Sequence, residues 1–229
     1  MPPEYDIQLR KLGSFPGAPS RAGSHTEAWQ KILSLKTAAP APAEWAEALN
    51  PLETIDANKR SVGKEWRKVD DQVVSPETPN ARIQLVDAVK SSYRFEAQFT
   101  RIRGDCMAVM FPVKNTSALL VVSGWKGKVS GLAYLNGKDA ARNLTTRDGQ
   151  LSNGDKHALA LTVNVLQNDH ARITVTLDGQ DYMNWEGPTS ALKPDRQWRL
   201  QSPHALGIDA YNAAIVFHSC RFQLLDSTR

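Results

Sequence analysis

The chain has 229 residues, a formal net charge of +4 and an isoelectric point of about 9.1, with 41% hydrophobic and 23% charged residues. That is an ordinary globular composition. No apolar run approaches the roughly 18 residues of a membrane span, and no basic stripe with interleaved aromatics marks a nucleic-acid binder. Residues 1–50 carry five basic and five acidic side chains, so the positive excess lies in residues 51–229, where Lys and Arg are scattered among Asp and Glu.

The first 50 residues hold six of the thirteen prolines, including the run Ala38-Ala39-Pro40-Ala41-Pro42-Ala43. Such a run favours extended chain and reads as a linker. Ahead of it, Ser24 and Glu27 have capping-box spacing, and Trp29, Ile32, Leu33 and Leu35 give Ser24–Lys36 an apolar side, so a short helix is expected there. The opening Met1-Pro2-Pro3-Glu4-Tyr5 shows no apolar core of a secretory leader, and localisation is left undetermined. The expected division is an irregular, partly helical extension over 1–50 and one domain over 51–229.

From Trp66 the period changes to two. Phe95, Ala97 and Phe99 alternate with Arg94, Glu96, Gln98 and Thr100. Leu159, Leu161, Val163 and Val165 alternate with smaller or polar residues, and so do Ile173, Val175 and Leu177. Successive strand side chains point to opposite faces, so these are antiparallel strands with one face in a core. Further apolar runs lie at 107–113, 118–122, 129–135 and 214–225. Asn136-Gly137, Asp148-Gly149, Asn153-Gly154 and Asp178-Gly179 supply pairs suited to the positive φ angles of tight hairpins. Ten to thirteen short strands with turns between them, and no long helical period after residue 60, predict an all-β, two-sheet antiparallel jelly-roll sandwich.

The block Gly124-Trp125-Lys126-Gly127-Lys128-Val129-Ser130-Gly131-Leu132, running on to Asn136-Gly137-Lys138-Asp139-Ala140, carries a resemblance. So do Asn153-Gly154-Asp155-Lys156-His157, Ile173–Gly179, Trp66-Arg67-Lys68 and Tyr93–Arg101. Together they resemble a module found at the C-terminal ends of large planctomycete-type bacterial proteins. That module is similar to concanavalin-A-like and laminin-G-like domains and related to a 3-keto-disaccharide hydrolase-like group. The resemblance implies a jelly roll and a carbohydrate connection. It brings no catalytic residue, because no family active-site motif matches residue by residue.

The residues themselves supply no catalytic pair. Retaining glycosidase chemistry needs two carboxylates about 5 Å apart, and no strand presents alternate carboxylates in that way. Glu96 stands alone on its polar face, and Asp178 reads as a hairpin residue. His218 and Ser219 are adjacent and should point to opposite faces. His218 would share its face with Val216, Cys220, Phe222 and Leu224 and reads as a core or interface histidine. Arg103-Gly104-Asp105 reads as a turn. Cys106 and Cys220 have no CxxC spacing and read as two buried thiols, with a single long-range disulfide as the alternative and no metal site between them. Asp139, Asp148 and Asp155 are carboxylates that calcium would use, but they form no calcium loop, and no cofactor is assigned.

A sugar site wants an aromatic face and a few placed polar groups. Trp125, with Lys126, Tyr134, Asn136 and Arg142 near it in sequence, has that composition, and Trp185 with Glu186 offers a second platform. The expectation is a non-catalytic module binding a carbohydrate or glycoconjugate through these seven residues. The alternatives are an enzyme on unusual disaccharides and a module that binds a protein partner.

Overall fold

The computed structural model describes residues 48–225, apart from Asp195. The expected helix at Ser24–Lys36 and the Ala/Pro run lie outside those residues. The described chain opens with two single-turn helices, each started by a side-chain cap. Asn50 Oδ1 accepts the Leu52 N–H ahead of α1 (Pro51–Thr54), and Asp56 accepts from Asn58 and Lys59 ahead of α2 (Ala57–Arg60). Such caps satisfy amides that the first turn leaves without partners.

Twelve strands follow among the described residues: β1 (Ser61–Val62), β2 (Arg67–Val69), β3 (Gln72–Val74), β4 (Ala81–Val86), β5 (Tyr93–Val113), β6 (Thr116–Ser123), β7 (Val129–Ala133), β8 (Arg147–Asp148), β9 (Lys156–Val165), β10 (His170–Leu177), β11 (Gln180–Pro188) and β12 (Leu206–Leu224). All pair antiparallel.

The long strands β5 and β12 serve both layers of the sandwich. The second half of β5 pairs with β6 and with the first half of β12, which also pairs with β4; β1, β7 and β8 extend that first layer. The first half of β5 pairs with β9 and with the second half of β12, which also pairs with β3. β2, β10 and β11 complete the second layer. The result is the all-β jelly-roll sandwich that the period-two pattern predicts.

Arg103-Gly104-Asp105 is not a turn. It is the point inside β5 where the ladder changes layers. Gly104 has φ +104, and a Cβ there would lie 2.1 Å from the Asn212 carbonyl oxygen, so two backbones cross where only glycine fits. A register shift between Ala214 and Ile215 marks the same corner on β12.

The core lies between the layers. Phe95, Phe99, Phe111, Leu120, Leu161, Ile173, Ile208 and Phe217 are wholly buried in it. Phe217 stacks on Trp66 and on Phe99 with ring centroids 5.7 Å apart in each case. Burying each of these aromatic rings contributes about 1.5–3 kcal/mol. Two of the four Asn/Asp-Gly pairs have positive φ at both residues, Asn136-Gly137 and Asp178-Gly179. Asp178-Gly179 is the two-residue hairpin joining β10 to β11.

A bulge between Phe217 and Ser219 corrects the expected face of His218. Phe217, Cys220 and Phe222 all face the core. The extra residue in the bulge turns His218 to the other side of the layer, where its Nε2 lies 2.9 Å from Thr100 Oγ1. Strict alternation, applied from sequence, cannot register an inserted residue.

Candidate functional site

The middle of the first layer is buried on both faces. Its outer face carries a second, smaller apolar cluster of Cys106, Ala108, Met110, Leu119, Val121, Ala133 and Ala140, against which Tyr134, Trp198, Leu200 and Tyr211 pack. Trp198 and Leu200 belong to a strap, residues 196–205, that begins with a 3₁₀ turn at Arg196–Trp198. The strap is fastened by polar bonds. Arg82 Nη1 donates to the carbonyls of Gln197 and Arg199. Tyr134 Oη accepts from Trp198 Nε1 and Gln197 Nε2, both at 3.2 Å. The Gln201 amide donates to Gln84 Oε1 at 3.1 Å, and Gln201 Nε2 donates to the Lys59 carbonyl at 3.0 Å.

Between this strap and the β5–β6 hairpin runs an open cleft of about 600 Å³. Met110, Asn115, Ser117, Lys193, Trp198 and Gln201 are among its walls. The floor is apolar, one side is an indole, and the rest is amides, hydroxyls and cations. Such a lining suits a ligand with an apolar face and many hydroxyls. A shallower depression of about 450 Å³ lies beside it in sequence, with Asn136, Lys138 and Arg142 on its rim.

The seven residues expected to form a site do not converge. β6 spans eight residues, about 23 Å at the strand rise, between Thr116 near the cleft and Ser123 at the far end. Trp125 and Lys126 follow Ser123 and sit at that far end. β7 then carries the chain back, with Ala133 paired to Leu119. Tyr134 and Asn136 therefore stand at the strap end, where the Asn136 amide donates to the Ala191 carbonyl. The Tyr134 hydroxyl accepts from the Trp198 indole there and orients its ring. Arg142 is exposed and forms an ion pair with Asp139 at 3.4 Å.

Trp185 is buried in the core, because β11 puts it opposite the core residue Ile173. Gly187 leaves room for its ring, since a Cβ there would lie 2.8 Å from the indole. The structure thus gives Trp185 a packing role where an exposed platform was expected. Glu186 points outward and is engaged by Arg172 at 2.7 Å.

Trp125 is 44% exposed, the largest exposed aromatic among the described residues. Its turn is left-handed: Ser123, Trp125 and Lys126 have φ of 60°, 53° and 61°. Each such residue costs roughly 1–2 kcal/mol. Surrounding bonds over-determine the turn. The Lys126 amide donates to Asp105 Oδ1 at 2.9 Å, the Lys128 amide to the Gly124 carbonyl at 2.8 Å, and the Gly149 amide to the Lys128 carbonyl at 2.9 Å. Arg101, nearly buried, clamps the neighbouring loop through Asn153 Oδ1 and the Asp105 and Leu151 carbonyls at 2.6–2.8 Å.

At this same end a serine, a histidine and an aspartate stand in line. Ser152 Oγ is 3.3 Å from His157 Nε2, and His157 Nδ1 is 2.8 Å from Asp178 Oδ2. From sequence the nearest such pair was His218 beside Ser219, whose side chains were expected on opposite faces. The contacts describe a fastening, however. The one hydroxyl proton of Ser152 goes to Asp155, Asp178 Oδ1 accepts the Ala158 amide, and His157 is buried against Phe99. The histidine ties the 149–155 loop to the β10–β11 hairpin.

The three aspartates considered for calcium have other work: Asp139 caps the Ala141 amide, Asp155 accepts from Ser152, and Asp148 ends β8. Among the described residues no group of three or more His, Cys, Asp or Glu could hold a metal ion. Cys106 and Cys220 are free and buried, and burial pushes both thiols well up from their ordinary range. No described helix is long and apolar enough to cross a membrane.

No protein-family profile and no curated protein matches this sequence. Solved structures do. The carbohydrate recognition domain of Emp46p, solved as a point mutant, is similar over 77% of this chain and 95% of its own, with 13% identity and a TM-score of 0.51. A putative glycosyl hydrolase from Parabacteroides distasonis is similar over 74% of this chain and 96% of its own, at 13% identity and a TM-score of 0.48. The galectin LEC-6 of Caenorhabditis elegans covers 66% of this chain and 95% of its own, at 10% identity and a TM-score of 0.42. At these identities the likeness concerns the fold alone.

Proposed function

We propose that this chain is a carbohydrate- or glycoconjugate-binding module of the concanavalin-A-like and laminin-G-like group, with residues 51–229 as its domain and residues 1–50 as an extension. The cleft between the strap and the β5–β6 hairpin carries the reading. Its indole wall suits the C–H face of a sugar ring, and Asn115, Ser117, Lys193 and Gln201 suit the hydroxyls. Binding is favoured over catalysis because the described lining presents no pair of carboxylates or histidines. The fold likeness to a carbohydrate recognition domain supports the same reading by analogy. Trp125, held out at the opposite end on a strained turn, is a second contact surface for an extended glycan or glycoconjugate.

The test is a glycan-array screen of the full chain beside Ser117→Trp, which fills the cleft, and Trp125→Ala. Saturable binding abolished by Ser117→Trp and weakened by Trp125→Ala is the expected outcome. No binding to any sugar of a broad panel, or binding that survives Ser117→Trp, would sink the proposal.

A further inference from the structure

Asp209 is the anomaly of the first layer. It lies in the apolar run Leu206-Gly207-Ile208-Asp209-Ala210 of β12. Ile208 and Ala210 face the core, so Asp209 faces the other way, with Gly207 and Tyr211. It is 0% exposed, and neither carboxyl oxygen has a hydrogen-bond partner. Buried polar groups are nearly always partnered, and an exception calls for a reason. Its register neighbours are Arg82 on β4 and Ala108 on β5. Arg82 directs its guanidinium hydrogen bonds to the Gln197, Arg199 and Asn80 carbonyls instead. Burial accordingly raises the Asp209 carboxyl well above the usual carboxylate range, with Arg82 opposing the rise.

The strap is what closes this face. Trp198 and Leu200 pack on it with Tyr134 and Tyr211, and the Trp198 and Tyr211 rings are 5.9 Å apart. The same Trp198 and Leu200 form a wall of the open cleft. Met110, on the cleft floor, is the register partner of Gly207. Asp209 is two residues farther along the same face, about 7 Å at the strand rise. Cleft and orphan carboxyl are therefore consecutive stretches of one surface, separated by a short segment held by polar bonds and by the packing of Trp198 and Leu200.

We propose that the cleft continues beneath the 196–205 strap to a closed subsite anchored by Asp209, and that the strap is a lid that lifts to admit an uncharged sugar ring. This rests on the carbohydrate reading above. With the strap lifted, the walls are the Asp209 carboxyl, an Arg82 guanidinium released from two carbonyls, the Tyr134 hydroxyl and the rings of Tyr211 and Trp198. Carboxyl and guanidinium together suit vicinal hydroxyls, and the rings suit the C–H face. A second anion would be buried beside Asp209 and a cation beside Arg82, so an uncharged ring is the class that fits.

Two cysteines provide a readout that needs no sugar. Cys106 belongs to the outer-face cluster against which Trp198 and Leu200 pack, its cross-strand partner Tyr211 meets the Trp198 ring and its other side faces Gly124, whereas Cys220 lies in the central core. Both thiols are buried. In native buffer with a disulfide reagent such as DTNB, the lid predicts Cys106 labelling at least about 100-fold faster than Cys220, because local opening precedes global unfolding, and faster still in Gln201→Ala, which loosens the strap and leaves the Gly124 turn intact. Equal rates overturn the lid. Asp209→Asn and Asp209→Leu should leave the unfolding midpoint unchanged or raised, since no native partner is lost. They should weaken binding of the sugar found in the array by at least about tenfold, and that sugar should slow Cys106 labelling in the unmodified chain. A midpoint lowered by several degrees, or unchanged binding, overturns the role of Asp209. A chain that binds no sugar yet labels quickly at Cys106 removes the carbohydrate reading and leaves the lid supported. One that binds sugar while both cysteines label alike removes the lid and leaves the carbohydrate reading standing.

Discussion

Lowering the pH from 7 to 4 should unload a specific part of the stability through His218. The ring is 3% exposed, its Nε2 meets Thr100 Oγ1 at 2.9 Å, and its Nδ1 is buried with no partner. A charged ring would need an acceptor at Nδ1 that the fold does not provide. Burial first, and then the charge of Lys156, lower its pKa from 6.5 to about 4. The folded state therefore keeps His218 neutral while the unfolded chain takes up a proton below about 6.5. Between those two values the unfolded state binds more protons, so stability falls as pH falls and levels off below about 4. At about 1.4 kcal/mol per pH unit of that gap, the loss comes to ~3 kcal/mol. Buried carboxyls contribute with other signs, Asp209 in the opposite sense, so the measurement is a difference. Urea unfolding of the unmodified chain and of His218→Gln would be followed at pH 7.5, 6, 5 and 4.2. Gln retains a donor toward Thr100. The stability difference between the two proteins should change by ~3 kcal/mol in favour of the variant across that range, with equal urea slopes. A difference that stays constant with pH would refute the reasoning, because it would mean that His218 titrates alike in both states.

Three further outcomes follow from the geometry. Gly104→Ala should destabilise by about 3 kcal/mol or more, lowering the thermal midpoint by roughly 10 °C, because its Cβ would lie 2.1 Å from the Asn212 carbonyl oxygen at the layer crossing; calorimetry decides. Arg101→Met should cost about 3 kcal/mol by leaving the Asn153, Asp105 and Leu151 oxygens without their donor. Hydrogen exchange should show the loss concentrated in residues 149–155. A reducing agent should leave the thermal midpoint unchanged, since Cys106 and Cys220 are free thiols; a drop on reduction would show a bridge that the structure lacks.

Much of the architecture was legible because a sheet writes its geometry into the chain with a period of two. The alternations around Phe95, Leu161 and Ile173 each placed a core face correctly, and Asp178-Gly179 placed its hairpin. The failures occurred where one residue altered the count or where the chain left the local frame. The bulge at Phe217–Ser219 reversed the face of His218, and Gly104 read as a turn because a mid-strand bend and a hairpin use the same residue. The candidate site was less legible. Trp125 and Tyr134 are nine positions apart, but β7 lies between them and carries the chain to the other end of the layer. Trp185 was offered as a second platform although aromatic residues pack far more often than they display themselves, because sequence does not say which a given ring does. One signal was available and passed over: a lone aspartate, Asp209, in an otherwise apolar strand.

The sequence by itself determined the strand pattern and the turn chemistry, because these depend on neighbours within a few positions. Only the tertiary structure decided that residues 196–205 lie across the first layer and bring Trp198 beside Tyr134 and Tyr211. It alone showed that β12 buries Asp209 between Arg82 and Ala108. Most of those juxtapositions join residues far apart in the chain through sheet register, and register is set by the pairing of whole strands, which no local stretch of sequence contains.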